Sequence, residues 1–242
     1  MMTVLSPPAT LQPSHWDDIW NLTRRYVDTT RDYLESKLRH HSEIAMFRTP
    51  AALIGVAALD VYPTLFAGRR SVIIFTSSVV IDETYRGRAL IQRLGVRTYW
   101  RARARNPLTP IYWMFDTFSY KSYLLLARNF EQFWPRHDAV TPPSVGAFLD
   151  HLARERYGDD WKSDRGIVRR SGQKRLRPQT APISEALLTD PNLRFFVAAN
   201  SGHAEGDMLV CLCPLTMKNW AKAIAASTRF LFQRRQNFLT AR

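Results

Sequence analysis

The spacing of apolar residues in the first part of the chain predicts a helical segment followed by three strands. Apolar side chains recur at helical intervals over residues 15–38, which predicts one long amphipathic helix or a helix pair, with Ser14 as its N-cap. The Pro-rich, non-periodic residues 1–13 are predicted to be a loosely held arm with at most a short strand. Strands are predicted over residues 42–48, 52–62 and 70–81.

The pattern changes after the third strand. Its near-continuous apolarity is typical of a strand covered on both faces. Beyond Gly87 the spacing becomes helical as far as Asn106-Pro107, and arginines follow one side of this helix. A strand over 110–118, a helix over 120–132 and an extended segment over 133–136 come next. This order predicts an α/β (α+β) fold with a mixed central sheet and flanking helices.

The last third of the chain has a weaker pattern. It predicts an amphipathic helix over 144–157 with Ser144 as its N-cap, and a loop over 159–180. Runs at 194–199 and 207–213 are interpreted as the two strands of a hairpin, and residues 217–238 as an amphipathic helix with a basic end.

These elements suggest three parts. We predict an arm over residues 1–13, a core over 14–142 and a C-terminal extension over 143–242 that packs on the core.

Composition excludes several classes of protein. The chain has 242 residues, of which 45% are hydrophobic, so it can bury a core without disulfides or bound metals to stabilise it. The apolar runs are shorter than a membrane span, and the N-terminus lacks the pattern of a secretory signal. Cys211 and Cys213 are too few for a disulfide framework and are predicted to be core thiols in a cytoplasmic protein. No metal site is predicted, and His40-His41 is expected at the surface.

Charge is distributed unevenly along the chain. The net charge is +13, with 8 Lys and Arg against 9 Asp and Glu in residues 1–85 and 26 against 12 in residues 86–242. Such asymmetry favours an anionic partner: a phosphorylated cofactor, nucleic acid or an anionic membrane surface. The basic stretch 165–177 and the C-terminal helix are candidates for the latter two, with a solvated basic surface as the alternative.

The junction between the third strand and the arginine-bearing helix carries the most chemical information. The first N–H groups of a helix have no partner in the helix, and together with the helix dipole they form a site for phosphate. Gly87 and Ala89 keep side chains small there, and Arg86, Arg88 and Arg93 add positive charge. Residues 81–91 are therefore predicted to bind a diphosphate.

The same residues resemble the GCN5-related N-acetyltransferase (GNAT) superfamily. The resemblance lies in Ile81-Asp82, in Tyr85-Arg86-Gly87-Arg88 and in the helix ending Ala127-Arg128-Asn129-Phe130, and it covers residues 14–136. The chain departs from the family pattern where Ala89 and Ile91 replace small residues and where Leu125 occupies the position of the usual tyrosine.

The resemblance implies a substrate and a reaction. It implies that acetyl-CoA or a longer acyl-CoA binds along the third strand and the following turn, and that an amine attacks the thioester directly. The implied cofactor-binding residues are Val79, Val80, Ile81, Arg86, Gly87, Arg88, Ala89, Leu90 and Ile91.

Three residues are candidates for proton transfer. A tyrosine hydroxyl suits protonation of the leaving thiolate, and Tyr123 is the first candidate and Tyr120 the second. Glu83 is a candidate to relay the proton from the amine. Each has a simpler alternative, which is packing for the tyrosines and a solvated turn for Glu83. Two alternative functions stay open: a non-catalytic or acyl-binding GNAT-like protein, and a basic protein that binds nucleic acid or anionic lipid.

Overall fold

The residues that the structure describes form a central mixed sheet of eight strands. The computed structural model describes residues 1–170 and 172–223. The strands of that part are β1 (Met2–Ser6), β2 (Val27–Thr29), β3 (Glu43–Arg48), β4 (Leu53–Phe66), β5 (Arg69–Ile81), β6 (Ile111–Thr117), β7 (Trp161–Lys162), β8 (Ile167–Val168), β9 (Lys174–Leu176) and β10 (Met208–Pro214). The order in the large sheet is β1-β3-β4-β5-β6-β10-β8-β7, and β2 pairs separately with β9. Among the strands of the described residues, only β5 and β6 pair in parallel, and the other neighbours are antiparallel.

Helices cover both faces of this sheet. They are α1 (Pro13–Thr23), α2 (Arg31–Arg39), α3 (Leu90–Arg105), α4 (Tyr120–Asn129), α5 (Pro143–Tyr157) and α6 (Pro191–Ala199), and residues 217–223 are also helical. Side chains alternate along β5, so that Ile74 packs with α3, α4 and α6 while Ile73 packs with α5 on the opposite face. None of the helices in the described ranges is long and apolar enough to span a bilayer.

Most of the predicted elements are confirmed. The segment over 15–38 is a helix pair, and the strands and helices predicted between residues 42 and 129 are present with shifted ends. The arm contains β1, which pairs with β3, so it is held more firmly than predicted. The described residues of the C-terminal helix are helical, and residues 224–238 of it lie outside the described residues.

Three local predictions were wrong. Residues 194–199 belong to α6 rather than to a hairpin, because the Asp190 side chain accepts a hydrogen bond from Asn192 N–H at 2.9 Å and Pro191 opens the helix. The caps of α1 and α5 are Gln12 and Pro142, and the predicted caps Ser14 and Ser144 lie inside the first turns. Residues 159–180 contain β7, β8 and β9 instead of a continuous loop.

A buried carboxylate joins α5 to the centre of the sheet. Asp60 Oδ2 lies 2.8 Å from His41 Nδ1 and 2.6 Å from Arg156 Nη2, and Ser42 N–H donates to Oδ1. Burial by itself raises the pKa of Asp60, but the His41 contact and the hydrogen bonds from Ser42 and Arg156 outweigh it and hold this pKa well below its usual value. His41, predicted at the surface, is therefore a buried residue with a structural partner.

We predict that Asp60→Asn lowers the free energy of unfolding by about 3 kcal/mol at neutral pH, because Arg156 then loses its charged partner. A carboxylate with a depressed folded-state pKa stabilises the fold above its unfolded pKa of about 3.9, and this contribution is lost as the pH falls through the folded-state value. The difference between wild type and variant should therefore shrink below about pH 4 in urea unfolding. Asp159→Asn is the control, because Asp159 is exposed. If the stability difference between wild type and Asp60→Asn did not change with pH, this explanation of the role of Asp60 would be contradicted.

Candidate functional site

A bulge in β5 begins the site. Val56 of β4 pairs with Val80 and Ala58 pairs with Ser77, so one residue of β4 stands opposite two residues of β5. Ser78 takes a positive φ of 51° at this point. Such a bulge bends the strand and increases its twist. It therefore turns the end of β5 away from its other neighbour.

That other neighbour is β6, and the two parallel strands part at the bulge. Their pairing runs from Val72 with Ile111 to Thr76 with Phe115 and does not continue, although β5 extends to Ile81. A cavity of about 390 Å³ lies in this opening. No strand of the described residues pairs with the β6-facing edge of β5 along the cavity, so the backbone groups of this edge are available to a ligand.

The turn after β5 is held in place by side chains on both sides. Asp82 caps it by accepting from Thr84 N–H at 3.0 Å, and Arg25 pairs with the same carboxylate at 2.7 Å. Arg86 donates from Nε to Ile81 O at 3.2 Å, and its guanidinium carbon lies 4.8 Å from the centre of the Tyr26 ring. These contacts fix the position from which α3 starts.

The start of α3 presents free backbone donors. The first backbone N–H that bonds back into the helix is that of Arg93, to Ala89 O at 3.0 Å. Within the described ranges, no hydrogen bond involves the N–H groups of the residues before it, from Gly87 through Gln92. Gly87 has a φ of 77°, and an added Cβ would meet no atom within 4 Å in the part of the chain that the structure describes. The arrangement is suited to binding an anion.

Positive charge surrounds these donors. Arg86, Arg88 and Lys121 line the cavity, and Lys121 donates to Thr180 O at 2.8 Å. Burial, together with the nearby Arg86, lowers the pKa of Lys121. An anionic ligand would relieve this crowding of like charges, which adds to the attraction of the helix N-terminus.

The opposite wall of the cavity carries a carboxylate. Asp116 follows the last residue pair of β5 and β6, and it accepts hydrogen bonds from Ser77 Oγ at 3.0 Å and Tyr157 Oη at 3.1 Å. None of the ion pairs found among the residues that the structure describes includes Asp116. A partly buried carboxylate held by two neutral donors attracts cationic groups, and the ammonium group of Lys174 is one that already lies near Asp116.

A segment of the C-terminal third closes this wall. β9 pairs with β2, which brings Lys174 and Leu176 to the cavity, and Thr180 and Ala181 follow them there. Burial lowers the pKa of Lys174, and the nearby Asp116 opposes this effect. Lys174 and Leu176 of the basic stretch 165–177 thus form part of the cavity wall, and the role of this stretch in binding nucleic acid or lipid stays a prediction.

The structure brings the nine predicted cofactor-binding residues together. All of them line the same cavity, from Val79 and Val80 in the bulged strand to Ile91 in the first turn of α3. Ile91 is partly exposed and forms part of the cavity wall, and its side chain does not fill the cavity. Their contact with CoA stays a prediction.

The three candidates for proton transfer lie outside the cavity lining. Tyr123 is fully buried, its hydroxyl donates to Pro135 O at 3.1 Å, and its burial raises its pKa. Tyr120 is also buried, with its hydroxyl 3.4 Å from Pro182 O. Glu83 is exposed. These positions fit the alternatives of packing and a solvated turn, whereas Leu125 does line the cavity.

Sequence reasoning missed Asp116, Ser77 and Lys174. One sequence feature could have identified Asp116 as a candidate site residue, because it is an acidic residue at the end of a strand of bulky apolar residues. No such feature marks Lys174, since its position depends on pairing between β2 and β9, which are far apart in sequence. The described residues contain no group of three or more His, Cys, Asp and Glu that could hold a metal ion.

Comparisons with known proteins give remote structural neighbours. No protein-family model and no curated protein matches the chain. An acetyltransferase of Trypanosoma brucei is 19% identical with a TM-score of 0.38, over 58% of this chain and 99% of its own. A conserved Enterococcus faecalis protein described as a probable N-acyltransferase is 13% identical with a TM-score of 0.38, over 90% and 67%. An aminoglycoside acetyltransferase from a soil metagenome, in complex with sisomicin, is 12% identical with a TM-score of 0.39, over 58% and 95%.

Because these sequence identities and TM-scores are low, the type of fold is argued from the geometry of the chain itself. The bulged strand β5, its separation from the parallel strand β6, and the turn into α3 occur in the order that the family resemblance implies. The fold is of the GNAT type. The resemblance predicted from residues 81–91 is thereby confirmed at the level of the fold.

Ala89 is a point where this GNAT-type fold carries backbone strain. It precedes α3 with a φ of 55°, in the left-handed region that favours glycine. We predict that Ala89→Gly raises the free energy of unfolding by up to about 1 kcal/mol, since relief of strain exceeds the entropy cost of glycine. Urea unfolding checks this, with exposed Ala104→Gly inside α3 as a control that should lose stability. A lower free energy of unfolding for Ala89→Gly than for wild type would contradict the presence of backbone strain at Ala89.

Proposed function

We propose that this protein transfers an acyl group from an acyl-coenzyme A thioester to an amine. The observation that carries the proposal is one cavity with free helix N–H groups and arginines at one side and the carboxylate of Asp116 at the other. The first side suits a diphosphate and the second suits an ammonium group. The opened edge of β5 lies between them.

Coenzyme A would bind from the side of α3. The N–H groups at Gly87–Gln92 would hold its diphosphate, and Arg86 and Arg88 would add charge-assisted contacts. Backbone groups of Val79, Val80 and Ile81 would accompany the pantetheine arm, because no strand in the described part of the chain pairs with this edge of β5.

The amine would approach from the side of Asp116. The carboxylate attracts the ammonium form and accepts its proton, directly or through water, which leaves the neutral amine as nucleophile. Its nitrogen then attacks the thioester carbonyl carbon. An N–C bond forms, the C–S bond breaks with its electron pair going to sulfur, and the nitrogen releases its remaining extra proton to solvent to give the amide.

Positioning supplies most of the rate in such a transfer. The cavity holds the two reactants together, and backbone N–H groups on the free edge of β5 stabilise the negative charge on the carbonyl oxygen. The leaving thiolate is comparable to that of cysteine, with a pKa of about 8.5, so a proton from solvent completes the reaction near neutral pH. A dedicated acid, for which Tyr123 and Tyr120 are candidates, is therefore not required.

Gly87→Val should abolish CoA binding while the protein stays folded. The side chain enters the space beside the helix N–H groups and strains a backbone with a φ of 77°. Gly68→Val is a matched control, because Gly68 has a φ of 75°, equally open surroundings and a distant position in the turn between β4 and β5. Calorimetry with CoA measures both variants. Equal affinity of wild type and Gly87→Val would show that the diphosphate binds elsewhere.

Asp116→Asn should reduce kcat/KM for the amine about 100-fold or more, because the amide neither attracts an ammonium group nor accepts its proton. Affinity for CoA should not change. Thiol release from acetyl-CoA with a panel of amino acids, polyamines and lysine peptides measures activity, and Asp159→Asn controls for the loss of an exposed carboxylate. Full activity of Asp116→Asn would remove this residue from the mechanism.

A further inference from the structure

A second cavity lies next to the first, between α3, α4 and the sheet. Its volume is about 320 Å³, and its lining is almost wholly apolar, with Leu59, Ile74, Trp113 and Leu215 among the contributing side chains. An engineered apolar cavity of about 150 Å³ binds benzene, so this one has room for a longer hydrocarbon.

The two cavities are continuous at the point where β5 and β6 part. Six residues line both of them: Thr76, Val79, Ile91, Gln92, Trp113 and Leu125. Four of these lie on the diverging strands or opposite them on α4, where the proposed function places the thioester. A chain attached to the thioester carbonyl therefore has a direct path into the second cavity.

The polar groups in this lining favour a hydrocarbon over pantetheine. Trp113 Nε1 already donates to Thr76 Oγ1 at 2.9 Å, and Asn129 Nδ2 donates to Leu125 O at 2.6 Å. Within the described ranges, Thr98 Oγ1 and Trp220 Nε1 are buried without a partner, and Gln92 is exposed where the two cavities meet. Two isolated donors can hold one water, but they do not satisfy the two amides of pantetheine.

We propose that this cavity binds the acyl chain of the donor, and that the preferred acyl groups have more than six carbons. The inference depends on the proposed function, because it requires the thioester to lie at the residues shared by the two cavities. The proposal therefore gives this protein a class of acyl donor, the longer acyl-CoA thioesters, that is distinct from acetyl-CoA.

Calorimetry with CoA, acetyl-CoA, hexanoyl-CoA and decanoyl-CoA tests the proposal on the whole protein. Decanoyl-CoA should bind at least ~100-fold more tightly than acetyl-CoA, because each methylene buried in the cavity leaves water. Equal affinities of the four compounds would overturn this inference and leave the proposed function intact. If none of them binds, both proposals fail.

Substitutions at Gly95 test whether the acyl chain occupies the second cavity. Gly95 is an exposed residue of α3 at the rim of the second cavity, and an added Cβ would meet no atom of the described residues within 4 Å. Gly95→Phe should reduce the affinity for decanoyl-CoA at least ~10-fold and leave that for acetyl-CoA unchanged, because the ring takes space from the acyl chain alone. Gly95→Ala is the matched control and should retain both affinities. An unchanged affinity of Gly95→Phe for decanoyl-CoA would show that the chain does not occupy this cavity.

Discussion

The separation of β5 from β6 beyond Thr76 determines where this protein can bind a ligand. A parallel pair normally continues its ladder, because unpaired backbone groups are costly inside a protein. Here the bulge at Ser78 bends β5 away, and the ladder stops although both strands go on. The opening creates a cavity at the middle of the sheet and leaves one backbone edge free for a ligand.

Two further parts of the described chain enclose this opening, one from each side. The turn after β5, fixed by Arg25 and Asp82, aims the start of α3 at one side of the cavity. β9 and the residues after it form the other side, where Asp116 lies. The C-terminal third therefore adds a wall to the site as well as strands to the sheet, and it brings a cation-attracting group within reach of an anion-binding helix.

Local signals explain which parts were predictable from the sequence. The turn at residues 81–91 and the strand before it are contiguous, so apolar periodicity and Gly87 sufficed to place them. Asp60 and His41 carried no such signal, because their burial depends on Arg156 of a distant helix. Residues 194–199 were misassigned since the alternating apolar pattern of a short segment fits both strand and helix, and the cap at Asp190 decided between them.

The central claim is that the N–H groups at the start of α3 hold a diphosphate. Amide chemical shifts of the ¹⁵N-labelled protein, recorded during titration with CoA, test this directly. The account predicts that the largest shifts fall on the amides of Gly87–Gln92, and that CoA lacking its diphosphate leaves them unchanged. Saturable shifts confined to the basic stretch 165–177, with those six amides unmoved, would contradict it.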